Sequence, residues 1–499
     1  MTKICLCLTG TTIQRDLEVL EKYRKYIDMA ELRVDYLTED EYFHIRRFPE
    51  LAGLPVILTV RRKKDGGQFE RSESSRIILL SKGLAFAKPD KRQNFAYVDM
   101  EEDIDMPSLE EAARTFGTRI IRSFHNFSET DIDLITRIRS LSHAGDEIVK
   151  AAVTPTCLED VTRVFRISRE LKNIDKIIVS MGDLGHCTRV LSSRLGSYLT
   201  YTMAKGEADF PPAASGQLDP KELVDFFRFR NINNETKIFG LTGYPITSTA
   251  SPQFFNSVFA RTEENMVYLR FPAESINSFI DLANEINIEG ASVTVPHKET
   301  VLNFLATSSD EVRSVGACNT IVRTAKGWSG FNTDTRGFSD SLLQFIGKKN
   351  FKGMAVTIIG AGGAARAIAS ELFRLKAKVL IVNRSVSRAE KLAQKYNFEW
   401  NNIDVEGIKR IKKFSNILIQ TTSVGMEPDI KKDPLPSYRF TGKEIVMDII
   451  YKPERTHFLN RAANAGCRVL NGFNMLTQQA KYQYFHFFNT EYPETDKAN

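Results

Sequence analysis

The strongest chemical signal in the chain is a glycine-rich segment that follows an apolar run. Residues 356–359 read as a buried strand, Gly360, Gly362 and Ala365 fit the spacing G-x-G-x-x-[G/A], and an alanine-rich segment predicts a helix. Such glycines allow a tight turn and a close approach of backbone N–H groups to a pyrophosphate. A purely structural turn is the alternative, but the strand–turn–helix context favours a dinucleotide site. Its predicted cofactor-binding residues are Gly360, Ala361, Gly362, Gly363 and Ala364.

The next predicted strand, residues 378–382, indicates which dinucleotide binds. It ends in Asn383, Arg384 and Ser385, and Arg388 follows one turn later. A site for NAD usually has Asp or Glu at this point, where it binds the ribose 2′-hydroxyl. Here no carboxylate would repel a 2′-phosphate, and two guanidinium groups match its oxygens. The pattern predicts NADP(H), although two solvated arginines at a helix start would look the same.

Lys150 is the second chemical signal, because it lies among apolar residues in a predicted strand, residues 147–153. Burial and nearby arginines both favour the neutral amine, which is the form that attacks a ketone. The alternative is a structural lysine paired with Glu31. His125, at the end of the preceding predicted strand, is a candidate base, although a single histidine is more often an ordinary loop residue.

Other polar side chains also gather at the ends of predicted strands in this part of the chain. They are Glu31, Arg33, Arg61, Asp65, Arg189 and Gln217. In a barrel, the carboxyl ends of all strands meet at one face, where the chemistry takes place. Taken singly, the arginines would be surface or core-rim charges. Their shared placement predicts a pocket for a carboxylate.

The elements that must position these residues follow a repeating pattern over residues 1–231. Eight apolar runs alternate with amphipathic segments, which predicts a (β/α)8 barrel. The predicted strands are residues 4–8, 29–34, 56–60, 95–100, 119–123, 148–153, 176–181 and 198–203.

At these residues the segment resembles the type I 3-dehydroquinate dehydratases. The resemblance rests on residues 31–35, the stretch from Arg61 to residues 66–68, His125, Lys150, and residues 180–182 and 216–217. It implies that Lys150 forms a Schiff base with a ketone, while His125 removes the adjacent proton and later protonates the departing hydroxyl. The other residues of the pocket would bind substrate. The resemblance also implies that a carboxylate at position 65 helps to orient or polarise the histidine. The chain departs from the family there, because it has Asp65 where Glu is usual, and at Ala213, where Ser is usual.

A second candidate proton-transfer pair lies in the C-terminal half. A strand over residues 290–296 has Lys298 just beyond its end, and Asp334 closes the segment 330–334. Delivered by separate loops, one Lys and one Asp can hold and transfer a proton. A surface salt bridge is the alternative, and the neighbouring His297 is predicted to be structural. Hydroxyl groups within residues 243–252 predict either a helix cap or a carboxylate site at a helix start.

Residues 237–490 resemble the shikimate dehydrogenases, through these segments, the glycine-rich turn and motifs at residues 383–385, 422–426, 448–451 and 475–479. The resemblance implies that Lys298 and Asp334 are the catalytic pair and that Thr422 and Gly472 join the cofactor site. The implied substrate-binding residues are Thr249, Ser251, Thr294, Asn319, Tyr451 and Gln479. The chain departs from the family pattern at Ala250, where Lys is usual, and at Asn474.

We therefore expect an α/β protein of three domains. They are a barrel of residues 1–231, a substrate-binding and catalytic domain of residues 237–341 plus 471–499, and a Rossmann domain of residues 342–470 that binds NADP. The expected activities are dehydration of 3-dehydroquinate and NADPH-dependent reduction of 3-dehydroshikimate to shikimate. Rival interpretations keep only the dehydrogenase active, with a barrel of different or lost activity, or make the chain a nucleotide-sensing regulator.

Composition limits the remaining possibilities. The 499 residues are 42% hydrophobic and 26% charged, which is typical of globular domains. A net charge of +6 without a concentrated basic run speaks against nucleic acid as a partner. The six cysteines lack metal or redox spacing, and no membrane span or leader segment is visible. These features predict a cytoplasmic enzyme that acts on small-molecule substrates and needs no metal.

Overall fold

The computed structural model describes residues 1–85, 88–141, 145–246 and 249–493. The chain divides into two compact units, residues 1–241 with 245–288, and residues 242–244 with 289–499. Among the described residues no helix is both long and apolar enough to cross a lipid bilayer.

The first unit contains an eight-stranded parallel barrel with the strand order β7-β6-β5-β4-β3-β2-β1-β8. Its strands are β1 (Lys3–Leu8), β2 (Met29–Arg33), β3 (Val56–Thr59), β4 (Tyr97–Glu101), β5 (Arg119–Asn126), β6 (Ile148–Val153), β7 (Lys176–Ser180) and β8 (Leu199–Met203). Its helices are α1 (Ile13–Tyr23), α2 (Phe48–Ala52), α3 (Glu73–Leu84), α4 (Pro107–Thr115), α5 (Leu134–Leu141), α6 (Leu158–Glu170) and α7 (His186–Val190). All eight predicted strands are present, and the predicted barrel is confirmed.

Helices cover the outside of the barrel and side chains fill its inside, so its strands are buried on both faces. Every residue of β3 and of β6 is buried, for example. The seam between β7 and β8 is the loosest part of the sheet, because it is joined by a single bridge from Lys176 to Ser197. An apolar layer that includes Cys5, Ile148 and Tyr201 fills the interior. This layer forms a floor beneath the carboxyl ends of the strands.

Four further elements belong mainly to the first unit. They are β9 (Lys237–Gly243), α8 (Ser251–Arg261), β10 (Met266–Pro272) and α9 (Ile276–Glu285). Helix α9 packs against α6 of the barrel, and Arg169 donates a hydrogen bond to the Glu285 carbonyl at 2.9 Å. This packing explains why residues 245–288 group with the barrel in the structure, whereas the sequence pattern joins them to residues 289–341.

The second unit begins with a four-stranded region followed by a Rossmann sheet. The first region comprises β11 (Ile288–Val293), β12 (Leu305–Ser308), β13 (Thr320–Thr324) and β14 (Gly327–Phe331), with helices α10 (Asp310–Val315) and α11 (Asp334–Ile346). Strand β13 runs antiparallel to both β11 and β14, and β12 runs parallel to β14. Lys298 follows β11, and Asp334 is the first residue of α11.

The Rossmann sheet has six parallel strands in the order β17-β16-β15-β18-β19-β20. Its strands are β15 (Ala355–Ile359), β16 (Lys378–Val382), β17 (Glu399–Asn401), β18 (Ile417–Gln420), β19 (Ile445–Asp448) and β20 (Arg468–Leu470). Its helices are α12 (Gly363–Arg374), α13 (Val386–Tyr396), α14 (Val405–Ile411) and α15 (His457–Asn464). Counted from β15, this order is 3-2-1-4-5-6, and ligands bind where it reverses, between β15 and β18.

The last helix, α16 (Phe473–Phe488), returns to the start of the second unit and packs against α11. Gly337 of α11 makes this contact possible, because a Cβ there would lie only 2.8 Å from the Cβ of Gln479. Gln483 of the same helix accepts a hydrogen bond from Ser292 and donates one to Thr320. The close packing places Gln479 Oε1 3.2 Å from the amide nitrogen of Asn319, the residue before β13.

Candidate active sites

Lys150 lies on β6 inside the barrel and is buried among charged groups. Its Nζ donates a hydrogen bond to Asp99 Oδ2 at 2.8 Å, lies 3.9 Å from Glu31 Oε1, and stands 4.5 Å from the centre of the Tyr201 ring. The sequence indicated cationic neighbours and, as the alternative, a pair with Glu31. The nearest carboxylate is instead Asp99, so carboxylates as well as arginines surround the amine.

Asp99 connects Lys150 with a row of further buried charges. Arg61 contacts Asp99 at 2.8 Å and Glu101 at 2.7 Å, and Arg76 of α3 donates to the other oxygen of Glu101. We call Lys150, Asp99, Arg61, Glu101 and Arg76 the charge ladder, because their charges alternate in sign. Burial disfavours ionisation of Asp99, yet Arg61 and Lys150 hold the pKa of its carboxyl well below the usual range. The ladder thus keeps a carboxylate ionised in a buried site.

His125, near the end of β5, occupies the same cavity as Lys150. Burial, followed by the charges of Arg61 and Lys150, lowers the pKa of the imidazole well below 6.5. In the described part of the chain its Nδ1 is buried and has no hydrogen-bond partner, and its ring stacks on Phe127. A neutral imidazole with a free nitrogen is able to accept a proton, which is the property of a general base.

The other predicted pocket residues surround this cavity. Its lining includes Glu31, Arg33, Arg61, Asp65, Arg189 and Gln217, together with Cys7, Tyr201, Ala213 and Ala214. Arg33 forms two hydrogen bonds with Asp35, at 3.0 and 2.8 Å, which fix its guanidinium. Burial lowers the pKa of Arg189 to about 10, so this side chain is a buried cation at neutral pH. The cavity therefore joins an amine, a neutral histidine and cationic walls.

Asp65 lines the cavity but contacts a neighbour other than the histidine. Its Oδ2 accepts a hydrogen bond from Arg62 Nε at 2.5 Å, and Arg62 also pairs with Asp103 at 2.7 Å. The resemblance placed a carboxylate here that would orient a histidine. In this chain the shorter aspartate is held by Arg62, while His125 Nδ1 has no partner among the described residues.

Two residues of this site escaped the sequence analysis, Asp99 and Tyr201. Asp99 and Glu101 alternate along β4, a spacing of two that turns both carboxylates to the same face of the strand. That spacing was an available signal, because two acidic residues on one face of a buried strand need cationic partners. Tyr201 gave no such signal, since an aromatic residue in a barrel strand is usually part of the core.

In the second unit, Lys298 and Asp334 form a direct pair, with Lys298 Nζ 2.6 Å from Asp334 Oδ2. Asp334 is buried, and its second oxygen accepts a hydrogen bond from Asn319 at 2.9 Å. The same Asn319 amide contacts Thr333 at 3.0 Å and Gln479 at 3.2 Å. Asn319 therefore connects the pair with α16. His297 is buried beside Lys298, and its backbone N–H donates to Thr294.

The remaining predicted substrate residues lie in several elements. Thr249 and Ser251 belong to the first unit, where Ser251 N–H donates to Thr249 Oγ1 at 3.2 Å in the turn that begins α8. Thr294 is in the second unit, between β11 and Lys298, and Tyr451 follows β19. Residues 247 and 248 of the predicted hydroxyl cluster lie outside the described residues.

The glycine-rich turn has the shape that a dinucleotide needs. Gly360 has φ +117°, which favours glycine, and a Cβ there would lie 2.4 Å from Thr421 Oγ1. No heavy atom lies within 4 Å of a Cβ built on Gly362, so this glycine faces open space at the start of α12. A Cβ built on Gly363 would lie 3.5 Å from Cδ of Lys298, so this glycine borders the stem of that lysine. The turn thus fits a pyrophosphate at a helix N-terminus, beside the Lys–Asp pair.

The predicted 2′-phosphate residues stand at the end of β16 in the same unit. Asn383 donates to the Ser385 carbonyl at 2.9 Å, and Ser385 precedes α13. Arg384 and Arg388 are exposed, which leaves their guanidinium groups accessible to a phosphate. Thr422, whose Cγ2 lies near Gly360, and Gly472, whose N–H donates to the Ile450 carbonyl, complete the predicted set.

Comparisons with known proteins assign a family to each half of the chain. The family model for type I 3-dehydroquinase matches residues 4–234. The models for the shikimate dehydrogenase substrate binding domain and for shikimate / quinate 5-dehydrogenase match residues 241–321 and 342–449.

Two curated relatives and one crystal structure illustrate the similarity. A bifunctional 3-dehydroquinate dehydratase/shikimate dehydrogenase of the Arabidopsis thaliana chloroplast is 29% identical, over 97% of this chain and 81% of its own length. A shikimate dehydrogenase (NADP(+)) of Caldanaerobacter subterraneus is 36% identical over 52% of this chain and 96% of its own length. A crystal structure of a shikimate dehydrogenase in complex with NADP+ is 32% identical, covers 52% of this chain and 92% of its own, and has a TM-score of 0.48.

A buried lysine and a neutral histidine in a barrel, together with a Lys–Asp pair beside a Rossmann turn, define an enzyme with two reaction centres. One is a lyase centre and the other is the centre of a nicotinamide-dependent oxidoreductase. The chain belongs to the type I 3-dehydroquinase family over residues 4–234 and to the shikimate dehydrogenase family over residues 241–321 and 342–449.

Proposed function

We propose that the chain catalyses two consecutive reactions, dehydration of 3-dehydroquinate to 3-dehydroshikimate and reduction of that ketone to shikimate with NADPH. The observation that carries this proposal is the presence of two separate proton-transfer sets, each next to its own binding site. Lys150 and His125 line one cavity, and Lys298 and Asp334 are 2.6 Å apart beside the glycine-rich turn. The product of the first reaction is the substrate of the second.

In the barrel, Lys150 is the nucleophile. Its ammonium and the substrate ketone combine to an iminium and one water, so a C–N bond forms and the carbonyl C–O bond breaks. His125 then takes the proton from the carbon next to the iminium, and the released electron pair forms an enamine. The protonated His125 returns that proton to the β-hydroxyl, which leaves as water as the iminium re-forms. Hydrolysis frees 3-dehydroshikimate and the ammonium of Lys150.

The walls of the barrel cavity bind the substrate. Arg189 and Gln217 bind it directly. The pocket is also lined by Glu31, Arg33 and Arg61. Buried guanidinium groups are suited to binding a substrate carboxylate. Asp99 holds the Nζ of Lys150 at 2.8 Å and so directs the amine within the cavity. Asp65 acts through Arg62, which anchors the loop that follows Arg61.

In the second reaction centre, Lys298 and Asp334 hold the proton that the carbonyl oxygen takes up as it becomes a hydroxyl. NADPH, when bound, supplies the hydride. Asn319 fixes Asp334 from its other oxygen at 2.9 Å, so the pair has one orientation. Thr249, Ser251, Thr294, Asn319, Tyr451 and Gln479 bind the substrate.

Cofactor binding falls to two parts of the Rossmann fold. Gly360, Ala361, Gly362, Gly363 and Ala364 would hold the pyrophosphate. Asn383, Arg384, Ser385 and Arg388 would hold the 2′-phosphate, and Thr422 and Gly472 would border the nicotinamide half. The accessible guanidinium groups of Arg384 and Arg388 and the open space at Gly362 support this assignment.

The proposed domains are residues 1–231, residues 237–341 with 471–499, and residues 342–470. The limits of the three family matches, 4–234, 241–321 and 342–449, support these boundaries. The proposed location is the cytoplasm, supported by six cysteines that all lack a disulfide bond. The proposed partners are the small-molecule substrates and NADP, without nucleic acid or membrane.

A coupled assay tests the proposal directly. The full chain, given 3-dehydroquinate and NADPH, is expected to consume NADPH and release shikimate. Lys150→Ala is expected to abolish NADPH consumption from 3-dehydroquinate and to retain it from 3-dehydroshikimate. Borohydride added with 3-dehydroquinate is expected to leave a covalent adduct on Lys150, detected by mass spectrometry. A Lys150→Ala variant that still dehydrates 3-dehydroquinate would exclude the Schiff-base mechanism.

A further inference from the structure

Tyr201 of β8 lines the barrel cavity and carries a buried hydroxyl that none of the described residues satisfies. Its side chain lines the cavity with Lys150 and His125, and its hydroxyl is buried without a hydrogen-bond partner in the described part of the chain. A buried hydroxyl without a partner destabilises the folded state, because it has lost its hydrogen bonds to water. Because native proteins rarely tolerate that cost, such a group in a binding site points to a partner that arrives with the ligand.

Two other atoms of the same cavity share this property, His125 Nδ1 and Arg189 Nε. Both belong to residues that are predicted to react with the substrate or to bind it. The buried atoms of this cavity without hydrogen-bond partners are thus atoms to which the substrate could supply a partner. Tyr201 is the member of this set that neither the family resemblance nor the spacing of residues indicated.

The acceptors around Tyr201 are already engaged by other groups. Glu31 accepts hydrogen bonds from Thr59 and from Cys7, one on each carboxylate oxygen. Asp99 accepts from Lys150 on one oxygen and from Ser123 on the other, at 2.5 Å. None of the described residues accepts a hydrogen bond from the phenol, so an oxygen of the substrate is the acceptor that would complete it.

The state of the phenol and its position suit a hydrogen-bond donor. Burial, followed by the negative charges of Glu31 and Asp99, raises the pKa of Tyr201 well above 10, so the hydroxyl keeps its proton at neutral pH. The face of its ring lies 4.5 Å from Lys150 Nζ, which is the atom that bonds to the substrate carbon. A substrate attached to Lys150 is thereby held next to Tyr201.

We propose that Tyr201 is a substrate-binding residue of the dehydratase, whose hydroxyl donates a hydrogen bond to an oxygen of the substrate that Lys150 attacks. The proposal rests on the proposed dehydratase function. The hydroxyl donates without releasing its proton, so the proton transfers of His125 and Lys150 are unchanged.

Tyr201→Phe tests this role, because it removes the hydroxyl and keeps the ring beside Lys150. One hydrogen bond between neutral groups corresponds to a roughly 3- to 10-fold loss of kcat/KM for 3-dehydroquinate. The borohydride-trapped adduct on Lys150 is expected to form more slowly by a similar factor. The urea midpoint for loss of dehydratase activity is expected to be unchanged or higher, since an unsatisfied buried hydroxyl has been removed. Reduction of 3-dehydroshikimate should be unchanged.

Tyr97→Phe is the matched control. Tyr97 also points into the barrel, but its hydroxyl already has partners, Tyr198 at 2.5 Å and Lys3 at 3.2 Å. We expect this variant to retain the kcat/KM of the wild type. A Tyr201→Phe enzyme with unaltered kcat/KM would overturn the proposal, as would equal losses in both variants. Dehydration by Lys150→Ala would instead refute the proposed function itself, so the two failures are distinguishable.

Discussion

Asp99→Asn should strongly disturb the barrel, because Asp99 is the carboxylate that Lys150 and Arg61 share. The carboxylate accepts hydrogen bonds from Lys150 at 2.8 Å and Ser123 at 2.5 Å, and it pairs with Arg61 at 2.8 Å. Lys150 and Arg61 both contact the same oxygen, Oδ2, and an amide of the same shape carries no negative charge to balance these two buried cations. Lys150 is then left with Glu31 at 3.9 Å as its nearest carboxylate.

The expected size of the effect follows from burial. Breaking a buried ion pair by removing one partner costs about 3–5 kcal/mol. With a urea dependence of about 3 kcal/mol per M, the unfolding midpoint of the barrel should fall by roughly 1 M or more. Asp99 also fixes the position of Lys150 Nζ, so the rate of Schiff-base formation should fall about tenfold or more when the amine loses that orientation.

The assay can separate the two units, because Trp328 and Trp400 are the only two tryptophans and both lie in the second unit. Loss of dehydratase activity in urea follows the barrel, while tryptophan fluorescence follows the second unit and should not change. Asp105→Asn, at an exposed aspartate of the first unit, is the control. If Asp99→Asn had the urea midpoint and the dehydratase rate of the control, the account of the charge ladder would be refuted.

Three further predictions concern the proton-transfer groups and the cofactor. Burial and the charges of Arg61 and Lys150 hold the pKa of His125 well below 6.5, so this base stays neutral in mildly acidic solution. When kcat/KM for 3-dehydroquinate is measured between pH 5.5 and 8, it should therefore show no decline centred at 6.5. Lys298→Ala should lower the kcat for reduction by about 100- to 10,000-fold and leave NADPH binding, measured by fluorescence titration, nearly unchanged. A variant with the full kcat would show that this lysine is only a surface charge without a catalytic role. Arg384→Asp should raise the KM for NADPH far more than that for NADH, and equal kcat/KM for the two cofactors in the unmutated enzyme would contradict the assignment.

The fold followed from the sequence because hydrophobic periodicity and strand–helix alternation are local properties. Eight apolar runs were enough for the barrel, since helices on the outside and side chains inside bury each strand completely. Lys150 stood out because a lysine in a buried strand needs an explanation. The glycine-rich turn could be recognised because both its glycine spacing and its flanking strand and helix match those of a dinucleotide-binding turn.

The finer contacts of the site could not be derived in the same way, because they depend on side-chain conformation. Arg61 and Arg62 are adjacent, and no local pattern shows that Arg61 turns inward to Asp99 while Arg62 turns to Asp65. The partner of Lys150 comes from a strand 51 residues away in sequence. The grouping of residues 245–288 with the barrel likewise depends on the packing of α9 against α6, which involves side chains distant in the chain.

The charge ladder also restricts how this enzyme can evolve. Its five members alternate in sign and each contacts the next, so the substitution of one member changes the charge balance around its neighbours. Contacting residues of this kind show strongly non-additive substitution effects. We therefore expect Glu101 and Arg76, the two members farthest from Lys150, to be replaced together in homologues by apolar residues of similar volume, and rarely one at a time. Evolutionary change at these two positions should therefore occur by paired substitutions, because a protein with only one of the two substitutions would be less stable than the proteins before and after it.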